Sequence, residues 1–96
     1  MFLARIDGTL TASRKDARLA GVRFLIGQRL HTDGTAVGEP LVLLDRMGAG
    51  RGSNVLVSSD GTIARDWLGS GVPARLVVVG IVDRVTLQAA NEEHAS

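Results

Sequence analysis

Three glycines at alternate positions, Gly48, Gly50 and Gly52, are the residues whose spacing comes nearest to a binding motif in this chain. Bare backbone of this kind cradles phosphates when a helix N-terminus follows it. The spacing does not fit that chemistry. The dinucleotide fingerprint puts its third glycine one position later, where Ser53 stands, and a P-loop needs a closing Gly-Lys-Ser/Thr that is absent. A strand-like run, Asn54-Val55-Leu56-Val57, follows in place of a helix. Two readings stay open: a sharp turn or bulge between strands, or a backbone kept bare so that something approaches closely.

The remaining reactive side chains are scattered. His31 sits beside a turn and His94 near the C-terminal end; neither has a metal-like partner at i+2, i+3 or i+4, and there is no cysteine. Serines at 13, 53, 58, 59, 70 and 96 lie outside any Gly-x-Ser-x-Gly elbow. No catalytic, cofactor or metal site is expected, and the chain does not read as an enzyme. Arg14, Lys15, Arg18 and Arg23 make a local basic patch with Asp16 interspersed. A patch of that kind is a solvated loop, or a single-stranded nucleic-acid contact if aromatic stacking platforms accompany it. Only Phe2, Phe24 and Trp67 are aromatic, and both phenylalanines alternate with the core set. Asp83 ends the apolar run Leu76–Val82 and reads as an exposed strand end.

The elements that carry these residues are strands. Of the 96 residues, 45% are hydrophobic but 3% aromatic, and twelve are glycine, so the core must be Val, Leu, Ile and Ala between frequent turns. Phe2 to Ala12 alternates with period two, placing Phe2, Ala4, Ile6, Gly8, Leu10 and Ala12 on one face. Val22 to Leu30 is a second strand, with Phe24, Ile26 and Gln28 opposing Arg23, Leu25 and Arg29. Asp33-Gly34 and Gly38-Glu39-Pro40 mark a wide hairpin loop before a short strand at Leu41 to Leu44. Asn54 to Ser58 is the fourth strand. Ser59-Asp60-Gly61-Thr62 reads as the entry to one short helix of about two turns, capped by Ser59 or Thr62 and closed by Gly69, with Ile63, Ala64, Trp67 and Leu68 at helical spacing. Val72 to Val85 is the fifth strand, and Gly80 within it predicts a bulge or a close backbone approach. The expectation is an all-β fold, a small five-stranded OB-like barrel with one short α-helix, over a single domain of residues 1–87. Residues 88–96 read as a polar, fraying tail.

Eleven Lys and Arg against ten Asp and Glu leave a net charge of +1, which gives no field to steer an acidic partner. No secretory signal or membrane span is expected, which points to a soluble protein of a reducing cytoplasm.

The opening Arg5-Ile6-Asp7-Gly8-Thr9-Leu10 with Ser13-Arg14-Lys15, the loop Met47-Gly48-Ala49-Gly50-Arg51-Gly52, and the segment Leu76-Val77-Val78-Val79-Gly80-Ile81-Val82-Asp83 occur in that order. Together they resemble the EutN/CcmL family over about residues 2 to 85. The resemblance implies a structural protein of the bacterial cytoplasm, a homopentamer that fills fivefold vertices in a microcompartment shell of hexameric or pseudohexameric tiles. It implies no catalysis, no cofactor, no membrane and no nucleic acid. It also implies assembly contacts at Arg14, Lys15, Gly48, Ala49, Gly50, Gly52 and Asp83. The chain departs from the family's Gly-Ala-Gly-x-Gly-Glu by having Ser53 where the glutamate stands. An OB-fold single-stranded nucleic-acid-binding module is the alternative, disfavoured by the neutral charge and scarce aromatics.

Overall fold

A computed structural model describes residues 1–11, 17, 21–60, 65–66 and 76–85. Five strands follow one another along the chain: β1 (Phe2–Leu10), β2 (Arg23–Leu30), β3 (Leu41–Asp45), β4 (Asn54–Ser58) and β5 (Val77–Val82). They close into a barrel in the order β1-β2-β3-β5-β4. Among the described residues every strand pairing is antiparallel except β3 with β5, which is parallel and shows one register pair, Leu44 with Val77. The all-β barrel expected from the strand count is therefore the fold. Of the expected helix, Ser59 and Asp60 are described and are not helical, while Arg65 and Asp66 are described and helical; the rest of that stretch lies outside the described residues, as does the tail from 88 to 96.

The interior is aliphatic. Ala4, Ile6, Leu25, Leu43, Val55, Val57 and Val78 form one buried cluster, joined by Ala49 from the loop after β3. Each fully buried Val, Leu or Ile contributes about 1.5–3 kcal/mol relative to exposure. A second, smaller cluster of Val22, Leu44 and Val77 is flanked by Phe24 and Val79.

Two strands depart from their expected faces. On β1 the single face from Phe2 to Ala12 breaks at Asp7. Ile6 pairs with Gly27 and Gly8 pairs with Ile26, so Asp7 is the extra residue of a bulge. A bulge inverts the parity of everything beyond it, and Leu10 leaves the core set, 43% exposed. On β2 the faces are the reverse of the expectation: Leu25 is fully buried and Gly27 is buried beside it, while Phe24, Ile26 and Gln28 are only half-buried. Phe24 is apolar because it belongs to the second cluster, so hydrophobicity alone did not distinguish the two sides. Gly27 belongs inside for a steric reason. A Cβ placed there would meet the Leu43 Cδ1 at 2.7 Å, so Leu43 fills the space the glycine leaves.

The last strand is shorter than expected, running from Val77 to Val82; residues 83–85 are not strand, and 72–75 lie outside the described residues. The predicted bulge is present, but one residue before Gly80. Leu56 pairs with Gly80 and Val57 with Val78, which leaves Val79 as the extra residue. A Cβ on Gly80 would come only within 3.9 Å of the Leu56 Cβ, an ordinary contact, so no close backbone approach requires glycine there.

Candidate assembly surface

The glycine loop joins β3 to β4 and is tied down at both ends. Beyond β3, the fully buried Asp45 carboxylate accepts three backbone amides: Met47 at 2.8 Å, Gly48 at 3.2 Å and Ala49 at 3.0 Å. The Arg23 guanidinium, cross-strand from Asp45, donates to the same carboxylate at 3.1 Å and to the Ala49 carbonyl at 3.2 Å. At the other end the Gly52 amide donates to the Ile6 carbonyl at 2.7 Å, and the Ile6 amide donates to Ser53 at 2.9 Å. The loop thus leans on β1 where the Asp7 bulge begins.

Its glycines do different work. Gly48 and Gly52 have φ of 83° and 87°, the left-handed region in which a Cβ is strained. Gly50 lies outside that region, and nothing stands within 4 Å of where its Cβ would be. Neither turn geometry nor packing within the chain requires a glycine at position 50. Ala49 points the other way, 1% exposed within the main cluster. Around it Met47, Gly48, Gly50, Arg51 and Gly52 are exposed.

Beside the loop, the Arg5 Nε donates to the Asp7 carboxylate at 2.7 Å, with both side chains over a third exposed. That hydrogen bond holds the Asp7 carboxyl below the usual carboxylate range, with a smaller pull from Arg51. Asp83 is exposed just beyond β5, as expected of a strand end. The pairing of Val82 with Asn54 sets it beside the start of β4, where it borders a groove floored by Leu3, Leu30 and Val82. Asp33, across that groove, accepts from the Thr35 amide and hydroxyl at 3.0 and 2.7 Å, which fixes the turn after β2. The structure therefore gathers Gly48, Ala49, Gly50 and Gly52 on one loop and leaves Asp83 on a neighbouring surface. Arg14 and Lys15 lie outside the described residues.

Two residues escaped the sequence reading. Arg23 reads from the sequence as part of the basic patch, yet it is the partner of the buried Asp45 carboxylate. Asp45 lies one residue beyond the strand that the sequence places at Leu41 to Leu44. The available signal was an aspartate directly after an apolar run and three residues before a glycine, a side chain that accepts amides two to four positions ahead.

Comparison with known proteins agrees with this architecture. The carboxysome shell vertex protein CcmL of Thermosynechococcus vestitus is 40% identical over 87 residues, spanning 90% of this chain and 87% of its own. The bacterial microcompartment shell vertex protein PduN of Salmonella typhimurium is 33% identical over 90 residues, spanning 90% of this chain and 99% of its own. Among solved structures, the GrpN pentameric microcompartment shell protein from Rhodospirillum rubrum superposes with a TM-score of 0.78 at 30% identity, over 93% of this chain and 100% of that one. The sequence model EutN_CcmL, described as ethanolamine utilisation protein EutN/carboxysome, matches residues 1–83. A family-model match over residues 1–83, a span that includes both the glycine loop and Asp83, and relatives above 30% identity along most of their length make this chain a member of the EutN/CcmL family.

Proposed function

We infer that this chain is a structural subunit of a bacterial microcompartment shell, five copies of which close a ring at a fivefold vertex. The observation that carries the reading is the match to a pentameric shell protein over the whole of that protein's length. The physical logic is geometric. A flat sheet of hexagonal tiles cannot close, and pentagons inserted among them supply the curvature. A ring of five needs a head-to-tail interface in which two different patches of one subunit meet. The partners are other copies of this chain and, at the ring's rim, hexameric or pseudohexameric shell proteins. The role is structural, not catalytic. The single-stranded nucleic-acid alternative finds no support among these relatives.

The glycine loop is the best-supported contact. Gly50 is exposed, free of any conformational need for glycine, and held on a loop anchored at both ends. Those are the properties of a backbone presented to a close neighbour. Gly48, Ala49 and Gly52 shape and anchor that presentation, while Asp83 supplies a polar contact on the adjoining surface. Arg14 and Lys15 join the contact set on the family resemblance.

Light scattering coupled to size exclusion tests the ring and should give about five times the 10.1 kDa chain mass. Co-expression with hexameric tiles tests the vertex role and should yield closed shells that contain this chain. A monomer at high concentration together with shells that never close would overturn the reading.

A further inference from the structure

A loop that meets a partner through bare backbone has no side chains with which to adapt. Its affinity then depends on the backbone being held in the bound shape beforehand, because ordering it on contact would consume the binding energy. In this chain one anion supplies that order. Asp45 is the last residue of β3 and fully buried. Its Oδ1 takes the Met47 amide, and its Oδ2 takes the Gly48 and Ala49 amides together with the Arg23 Nη1. Three successive peptide planes are thereby oriented in the stretch that leads into Gly50. Arg23 adds a bond to the Ala49 carbonyl, so it ties the far side of the loop to β2 as well.

We propose that Asp45, held by Arg23, is the positioning residue for vertex assembly: it fixes the Gly48–Gly52 backbone in the shape that a neighbouring shell tile accepts. The proposal rests on the vertex reading above and adds to it the residue on which the contact depends. Asp45 itself touches no partner, since none of its surface is exposed.

The test uses the full chain as Asp45→Ala, Arg23→Gln and Arg23→Lys, the last keeping a cation within reach of the carboxylate. Three quantities are read: amide exchange at Met47, Gly48 and Ala49 against Val55 and Val57, oligomer mass, and the yield of closed shells with hexameric tiles. Asp45→Ala should accelerate the loop amides by roughly tenfold or more relative to β4, since their buried acceptor is lost. The oligomer mass should hold while closed-shell yield falls. Arg23→Gln should do the same more weakly, and Arg23→Lys should restore both readouts towards wild type. Normal closed-shell yield from Asp45→Ala with its loop amides loosened overturns the proposal, as does unchanged exchange. Should Asp45→Ala fail to fold, Arg23→Gln decides by the same pair of readouts. A wild-type chain that closes no shell sinks the vertex reading and this proposal with it, a result distinguishable because it needs no variant.

Discussion

Gly48 and Gly52 occupy backbone conformations that resist a side chain, and Gly50 does not. Alanine at 48 or 52 should therefore lower stability by about 1 kcal/mol or more, read as a drop in the thermal midpoint. Gly50→Leu should leave that midpoint near wild type and yet abolish shell capping. Closed shells of normal permeability carrying stoichiometric Gly50→Leu protein would refute the contact role of that glycine. The Arg5–Asp7 pair makes a separate prediction. Arg5 holds the Asp7 carboxyl below its ordinary pKa, so the pair's support is present above the normal carboxylate range and disappears as pH falls through the depressed value. Both groups are largely exposed, and the effect on stability is correspondingly small. In an NMR titration Asp7 should titrate lower in wild type than in Arg5→Gln; equal midpoints would remove the pair from the account. The glycine spacing was visible in the sequence, whereas the separation of conformational from open glycines was not, because φ depends on how Asp45 and Ile6 pin the loop.

Among the strands, the decisive position is Gly27. A methyl group there meets the buried Leu43 at 2.7 Å and the Arg5 carbonyl at 3.4 Å, with the main cluster behind them. Gly27→Ala should destabilise the barrel by about 1–3 kcal/mol, measured by urea unfolding, because Leu43 must move within a packed interior. A change indistinguishable from zero would mean that the cluster is loosely filled. This site also shows why the strands were legible and their faces were not. The apolar run after the glycine loop located β4, and alternation located β1 and β2 to within a few residues, since period-two patterning survives any inversion of the sheet. It failed to assign β2 because both of its sides carry apolar residues and because the inward residue at 27 has no side chain to be counted. It failed beyond Asp7 because Gly8, the glycine next to that bulge, was counted into the alternating face and not read as the mark of a bulge, as Gly80 was. The strand ending at Leu44 in the sequence ends in fact at Asp45, one residue on, and that residue proved to organise the candidate site.

For the molecule as a whole, the proposed ring makes association and stability one equilibrium. A ring of subunits that unfolds to separate chains has an apparent melting temperature that rises with concentration. Thermal scans across about a hundredfold range of protein concentration should show that rise for this chain. A constant midpoint would indicate that the barrel melts without reference to its neighbours. Among the described residues the sparsest seam of the barrel is between β3 and β5, joined by one register pair and the Leu44 amide on the Leu76 carbonyl at 2.9 Å. Amide exchange at Leu44 should accordingly outpace that of the long β1–β2 ladder in the dissociated subunit.

Ala49 puts one buried methyl group at the centre of an otherwise exposed loop, in the same cluster as Ile6, Leu25, Val55 and Val78. The loop is therefore geared to the interior of the barrel. A change in volume at Val55 or Val78, invisible from outside, should be felt in the cluster that holds that methyl and the peptide planes on either side of it. On the assembly role proposed for this loop, closure of the lattice would then report on how the hidden interior is filled, and residues that never meet a partner would inherit the tolerance, or intolerance, of the lattice to misfit.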